Sequence, residues 1–246
     1  MSARRFAVLV STLLVLALPA FAAKRRASRS APAAAAGNSC HTFGLVRAGL
    51  SASYLSQAPG GDVTFTITWI TDTPTFTQTT QKVTTPQGTT TAETRLDGEV
   101  SGQLRGLRHL NVKTSQTVPV LGSITTETDI DFVPTLTQGP AAGWCVGNTW
   151  TVPPVTETVV TRTPQGQNTQ VITTIGSTGE VLAVGATVSV PAGDFQTVKY
   201  RGAIVSGTTV QTAITWVSMQ HNVVVRQDTL DDAGNVTSTT RLTAVQ

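Results

Sequence analysis

Glu127, Asp129 and Asp131 are the residues of this 246-residue chain whose types and spacing come nearest to a chemical site. They fall at i, i+2 and i+4, which on a β-strand sets all three carboxylates on one face. Such a set could hold a hard cation such as Ca²⁺, or supply a general base. Against this, same-face neighbours on one strand stand about 6.6–7 Å apart, too far to share an ion comfortably, and calcium loops are Gly-rich turns. A solvated acidic face is the plainer reading. The histidines, His41, His109 and His221, are isolated, and no His-x-x-x-His, Glu-x-x-His or Cys-x-x-Cys spacing occurs, so no metal site is predicted. His109, close to Arg105 and Arg108, suits either an anion or a solvated loop. There is no Gly-x-Ser-x-Gly elbow, phosphate loop or dinucleotide fingerprint, and no nucleophile–base pair is visible. No catalytic residue and no cofactor is therefore expected, and an exported hydrolase ranks behind non-catalytic readings.

The elements that would carry these residues are written in period two. Val63, Phe65, Ile67 and Trp69 alternate with Thr64, Thr66 and Thr68, which gives one apolar and one hydroxyl face. Ile124, Thr126, Thr128, Ile130 and Phe132 alternate with Thr125, Glu127, Asp129 and Asp131 in the same way. Turn signals such as Pro86-Gln87-Gly88, Asp97-Gly98, Pro164-Gln165-Gly166 and Ala233-Gly234-Asn235 separate the runs. The fold class is all-β, an antiparallel sheet with almost no helix; a short helical turn is expected over Gly49 to Leu55. Leu110–Val118 and Ile124–Phe132 read as a hairpin centred near Leu121, with paired residue numbers summing to 242. In that register Val112 faces Ile130, Lys113 faces Asp129, Ser115 faces Glu127 and Asn111 faces Asp131. Thr85-Pro86-Gln87-Gly88 and Thr163-Pro164-Gln165-Gly166 suggest two similar halves, 39–143 and 144–246, or simply two independent hairpins with good turn chemistry.

Residues 1–22 read as a signal peptide: Arg4 and Arg5, an apolar run from Phe6 to Leu18, then Ala20-Phe21-Ala22. The run is shorter than the roughly 20 residues of a membrane span. Residues 23–38, rich in Ala, Pro and basic side chains, read as a flexible linker, and 39–246 as a single β-rich domain. The formal net charge of +3 comes from the N-terminus. Beyond residue 30 there are 11 basic and 14 acidic residues, a net of −3. The basic arm, with Lys24, Arg25, Arg26 and Arg29, is either a solvated tether or an envelope-surface contact with anionic lipid or polysaccharide. Nucleic acid is disfavoured, because the domain is acidic and aromatic residues make up only 5% of the chain. Export makes a Cys40–Cys145 disulfide the expected state of the two cysteines, closing a loop of about 100 residues.

Val146-Gly147-Asn148-Thr149-Trp150, followed by Val188-Ser189-Val190-Pro191-Ala192-Gly193-Asp194-Phe195, resembles an uncharacterised family of bacterial exported β-rich proteins. That family carries a Gly-x-x-Trp turn and a Val-Pro-Ala-Gly-x-Phe hairpin, and is similar in shape to the β-clam domains of periplasmic lipoprotein carriers. The match covers mainly residues 144–246. It implies a curved antiparallel sheet forming an incomplete barrel or clam in the cell envelope, and no known reaction. Trp150, Pro191, Gly193 and Phe195 are read as structural: Pro191 suits a strand end, Gly193 a tight turn, and the two aromatics are apolar plugs. The leading expectation is a non-catalytic exported protein, periplasmic or extracellular, that binds an apolar ligand such as a lipid or acyl chain. The alternative is a structural or adhesive surface β-module without a small-molecule ligand. A central apolar cavity favours the first and a filled core the second. Sequence gives no oligomeric state.

Overall fold

The computed structural model describes residues 40–85, 88–101, 104–118, 122–206 and 209–246. The signal peptide and linker read over 1–38 lie outside the described residues. Among the described residues every regular element is a strand. These are β1 (Cys40–His41), β2 (Ser51–Gln57), β3 (Val63–Asp72), β4 (Phe76–Thr85), β5 (Gly88–Ser101), β6 (Leu104–Val118), β7 (Gly122–Gln138), β8 (Trp144–Cys145), β9 (Thr149–Thr163), β10 (Gly166–Val190), β11 (Gly193–Ser206), β12 (Thr209–Ser218), β13 (Val224–Leu230) and β14 (Val236–Val245). The segment expected to make a helical turn is instead β2, in which Ala52 and Tyr54 are buried and Ser51, Ser53 and Leu55 half-buried. Period-two burial prevails there because the strand has a partner on each side.

Twelve strands, all antiparallel to their neighbours, close into one barrel. β14 pairs with β2, through Arg241 opposite Leu55 and Leu242 opposite Tyr54, and β9 bridges β7 and β10. The expected incomplete barrel or clam is thus corrected: closure leaves no free edge in this sheet, and an unpaired edge is what closure removes. β10, the longest strand, makes this geometry work. Its first part pairs with β9 and its second with β11, with bulges on both ladders.

Alternation sorts the wall into two faces. Leu110, Val112, Ile130, Phe132, Val155, Val181, Val198, Tyr200 and Leu242 point inward and are nearly or wholly buried. Outward rows carry Thr64, Thr66 and Thr68 on β3 and Glu93, Arg95 and Asp97 on β5.

β1 and β8 form a separate two-stranded clasp at the end where β7 runs into β9. Cys40 and Cys145 are disulfide-bonded, with Cα atoms 4.0 Å apart. Next to the bond, Trp144 enters the larger core cluster, where residues from both sequence halves meet. Its ring lies 5.1 Å from Phe43, 5.4 Å from Trp150 and 5.3 Å from Tyr200. The connection is sewn to β10: Gly147 N–H donates to the Val181 carbonyl and Val181 N–H to the Asn148 carbonyl, both at 2.9 Å. The Asn148 side-chain amide donates to the Gly143 carbonyl at 2.7 Å. Trp150 explains one glycine of β10, because a Cβ on Gly179 would lie 2.2 Å from the Trp150 ring. Pro191 and Ala192 make the β10–β11 turn, Gly193 holds φ of +124°, and Phe195 is buried in the second core cluster.

Candidate functional site

The acidic run sits on the outer wall, across β5, β6, β7 and β9. The β6–β7 register sums to 240, not 242: Asn111 faces Asp129, Lys113 faces Glu127 and His109 faces Asp131. A shift of two keeps each side chain on its face, so burial alone does not separate the two registers. The adjoining strands extend these pairs into rows. Glu93, Lys113, Glu127 and Arg162 alternate in sign across four strands. Beside them run Arg95–Asn111–Asp129 and Asp97–His109–Asp131.

Asp129 is the hub. Its carboxylate accepts from Asn111 Nδ2 at 2.7 Å and from the Arg162 guanidinium, and His109 Nε2 lies 3.5 Å away. His109 Nδ1 is 2.8 Å from Asp131. Desolvation raises the Asp129 pKa, but the Asn111 and Arg162 hydrogen bonds with the Arg162 and His109 charges outweigh it and hold the group below its ordinary value. The three carboxylates are therefore brought together with Asn111, Arg162 and His109. No set of three or more His, Cys, Asp or Glu side chains among the described residues is arranged to hold a metal. Thr158 on β9 is the cross-strand neighbour of Asp131 and extends the His109 row, whereas Ser115 and Thr125 bond each other at 3.2 Å in a row beyond Lys113 and Glu127. Chemically, the arrangement is a cross-strand ion-pair lattice, each exposed pair worth about 0.2–1 kcal/mol.

The other histidines do not join this face. His41 stacks edge-on against Phe43 at 4.8 Å beside the disulfide, and burial lowers its pKa. His221 N–H donates to Ser218 Oγ at 3.1 Å in the β12–β13 turn.

Two polar features escaped the sequence reading. Glu157 lies on the inner face of β9, opposite Phe132, and is 5% exposed. Its signal was available: it stands two residues from Val155 and two from Val159, on the apolar side of the alternation. Burial raises its pKa. The cost falls on the charged form, so it is absent below the ordinary glutamate range, where folded and unfolded chains are both protonated, and present above it. Glu157→Gln is expected to stabilise the fold at pH 7 by roughly 1–3 kcal/mol, the size of a buried polar mismatch. The gain should vanish near pH 4 when unfolding midpoints are compared. Loss of stability at pH 7 would mean that the carboxylate is compensated inside.

The second feature is a row on the opposite outer wall, where Lys199, Trp216, Arg226 and Arg241 are cross-strand neighbours on β11 to β14. It is invisible in sequence, because it depends on three separate registers.

No family model and no curated protein matches the chain. Among solved structures, a candidate exported protein with a YmcC-like fold from Bacteroides fragilis is similar at a TM-score of 0.40 and 11% identity, over 84% of this chain and all of that one. A candidate lipoprotein from Parabacteroides distasonis is similar at 0.39 and 14%, over 85% of this chain and all of that one. Both are distant likenesses, and the architecture here stands on the strand pairing itself.

Proposed function

We propose that this chain is a non-catalytic, exported module of the cell envelope that works through its outer surface, without a lipid held inside the barrel. One observation carries the choice. Tyr54, Tyr200, Phe132, Leu110, Leu136, Val155, Val181, Val198, Val225 and Leu242 are all 2% exposed or less. A side chain lining a void wide enough for an acyl chain would be accessible from within, whereas Leu110, Phe132, Leu136, Val155, Val181, Val198 and Tyr200 pack in one cluster with Trp144, and Tyr54, Val225 and Leu242 in a second. Export is supported by the signal-like N-terminus and by a disulfide, which suits an oxidising compartment. The absence of chemistry is supported by the outer ladder, whose acids are engaged with Asn111, Lys113, Arg162 and His109.

The rival reading, a lipid or acyl-chain carrier, draws on the same apolar inner wall. Titrating the delipidated protein with oleate or with phosphatidylglycerol micelles separates the two. Under the proposal the unfolding midpoint stays where it is. A saturable rise would contradict it, since a ligand at 100 times its Kd adds about 2.7 kcal/mol.

A further inference from the structure

The outer wall is electrically two-sided. The β5–β9 side is acidic but internally matched. In mid-wall β11–β14 carry Lys199, Arg201, Arg226 and Arg241 against Asp228 and, on β10, Glu180, while Asp194, Asp231 and Asp232 stand at the hairpin ends of the same strands. Glu180 is the cross-strand neighbour of Arg201. Asp228 is 5% exposed at its side chain and is consumed locally: it accepts from Arg226 Nε at 3.0 Å, from the second Arg226 nitrogen at 2.6 Å and from Thr239 Oγ1 at 3.0 Å. Lys199 and Arg241 have no acid opposite them; Arg241 faces Arg226 directly, a like-charge pairing that costs stability.

Trp216 orders the row. Lys199 Nζ and the Arg226 guanidinium carbon each lie 4.9 Å from its ring centroid, and the ring is 9% exposed. The indole is a floor beneath two cations, of which Arg226 also donates from Nε and one terminal nitrogen to Asp228. Strands lie about 4.8 Å apart, so Lys199 and Arg226 stand roughly 10 Å apart and Arg241 about 5 Å further along one line.

We infer that this row is the docking surface for an acidic polysaccharide, whose carboxylates are held by Lys199 and Arg241 on either side of the Arg226–Asp228 pair. The inference rests on the reading of the chain as an envelope module acting through its surface. Charge complementarity and linear spacing across a convex wall fit a flexible polyanion. A bilayer fits less well, because membrane-seeking faces turn Trp and Phe outward, and here Trp216 lies under its cations. A second copy fits less well, because the acidic face already spends its charge on Lys113, Arg162 and His109.

The test uses the full chain and polygalacturonate as probe, with neutral dextran and phosphatidylglycerol vesicles as comparison arms. Wild type is expected to bind polygalacturonate, with affinity falling as salt rises, and to ignore dextran. Lys199→Glu/Arg241→Glu should weaken binding at least tenfold. Lys113→Ala/Arg162→Ala, which also removes two cations, should leave it within twofold, so any contribution of the basic arm cancels. Circular dichroism confirms folding; if the reversal fails to fold, Lys199→Gln/Arg241→Gln takes its place, with at least a threefold loss expected. Equal binding by wild type and the row variants overturns the inference, as does binding to vesicles alone or self-association that the variants abolish. A lipid found inside the barrel would overturn the proposed function yet leave this comparison readable.

Discussion

Replacing Cys40 and Cys145 by Ala, or reducing the bond between them, is expected to lower the unfolding midpoint by roughly 5–15 °C, from a loss of about 2–4 kcal/mol. The bond joins residues 105 apart, so in the chain-entropy model its removal frees a large loop in the unfolded state, with an upper bound near 4.7 kcal/mol. It also releases β1 from β8, and with it the lead into Phe43 and Val46, which pack at the same end of the barrel. The measurement is thermal unfolding with and without reductant, alongside the double variant. An unchanged midpoint would mean that the clasp is held by packing alone.

Trp144→Ala is expected to cost about 3–5 kcal/mol, the usual range for emptying a buried tryptophan site. Trp144 is 4% exposed and touches three other aromatic rings, so its removal would leave a cavity bounded by Phe43, Trp150 and Tyr200. Aromatic contacts add about 0.5–1.5 kcal/mol each beyond area burial. Chemical denaturation should show the loss as a lower midpoint with an unchanged slope. A cost below 1 kcal/mol would place Trp144 outside the working core. Because the two sites adjoin, the triple variant should lose less than the sum of the separate losses.

The strands were legible because one face of each is buried. Val63, Phe65 and Ile67 show this within a single run, and so do Ile130 and Phe132. Closure was not legible. It depends on pairing Leu55 with Arg241 and Tyr54 with Leu242, contacts between the two ends of the chain that no local pattern encodes. The β6–β7 register failed for a different reason. Sums of 240 and 242 put the same residues on the same face; the ladder keeps 240 from Val118–Gly122 to His109–Asp131, and the irregularity beyond it, where β7 passes Phe132 to Thr135 while β6 passes Arg108 alone, leaves that stretch unchanged. The true register also gains the row from Glu93 through Lys113 and Glu127 to Arg162, which one hairpin considered alone does not reveal. The disulfide forms between the two cysteines that export leads one to pair. The plug does not follow from residue types: Trp144 in sequence is one more aromatic beside a cysteine, and only the clasp directs it into the core.

The central claim is that the barrel fills its own apolar interior and acts from its surface. Native mass spectrometry of the full chain, purified from its own envelope without detergent exchange, tests this most directly. The expected result is the mass of the processed, disulfide-bonded polypeptide with nothing attached. A co-purifying lipid or acyl chain of fixed stoichiometry that dissociates only on unfolding would contradict it.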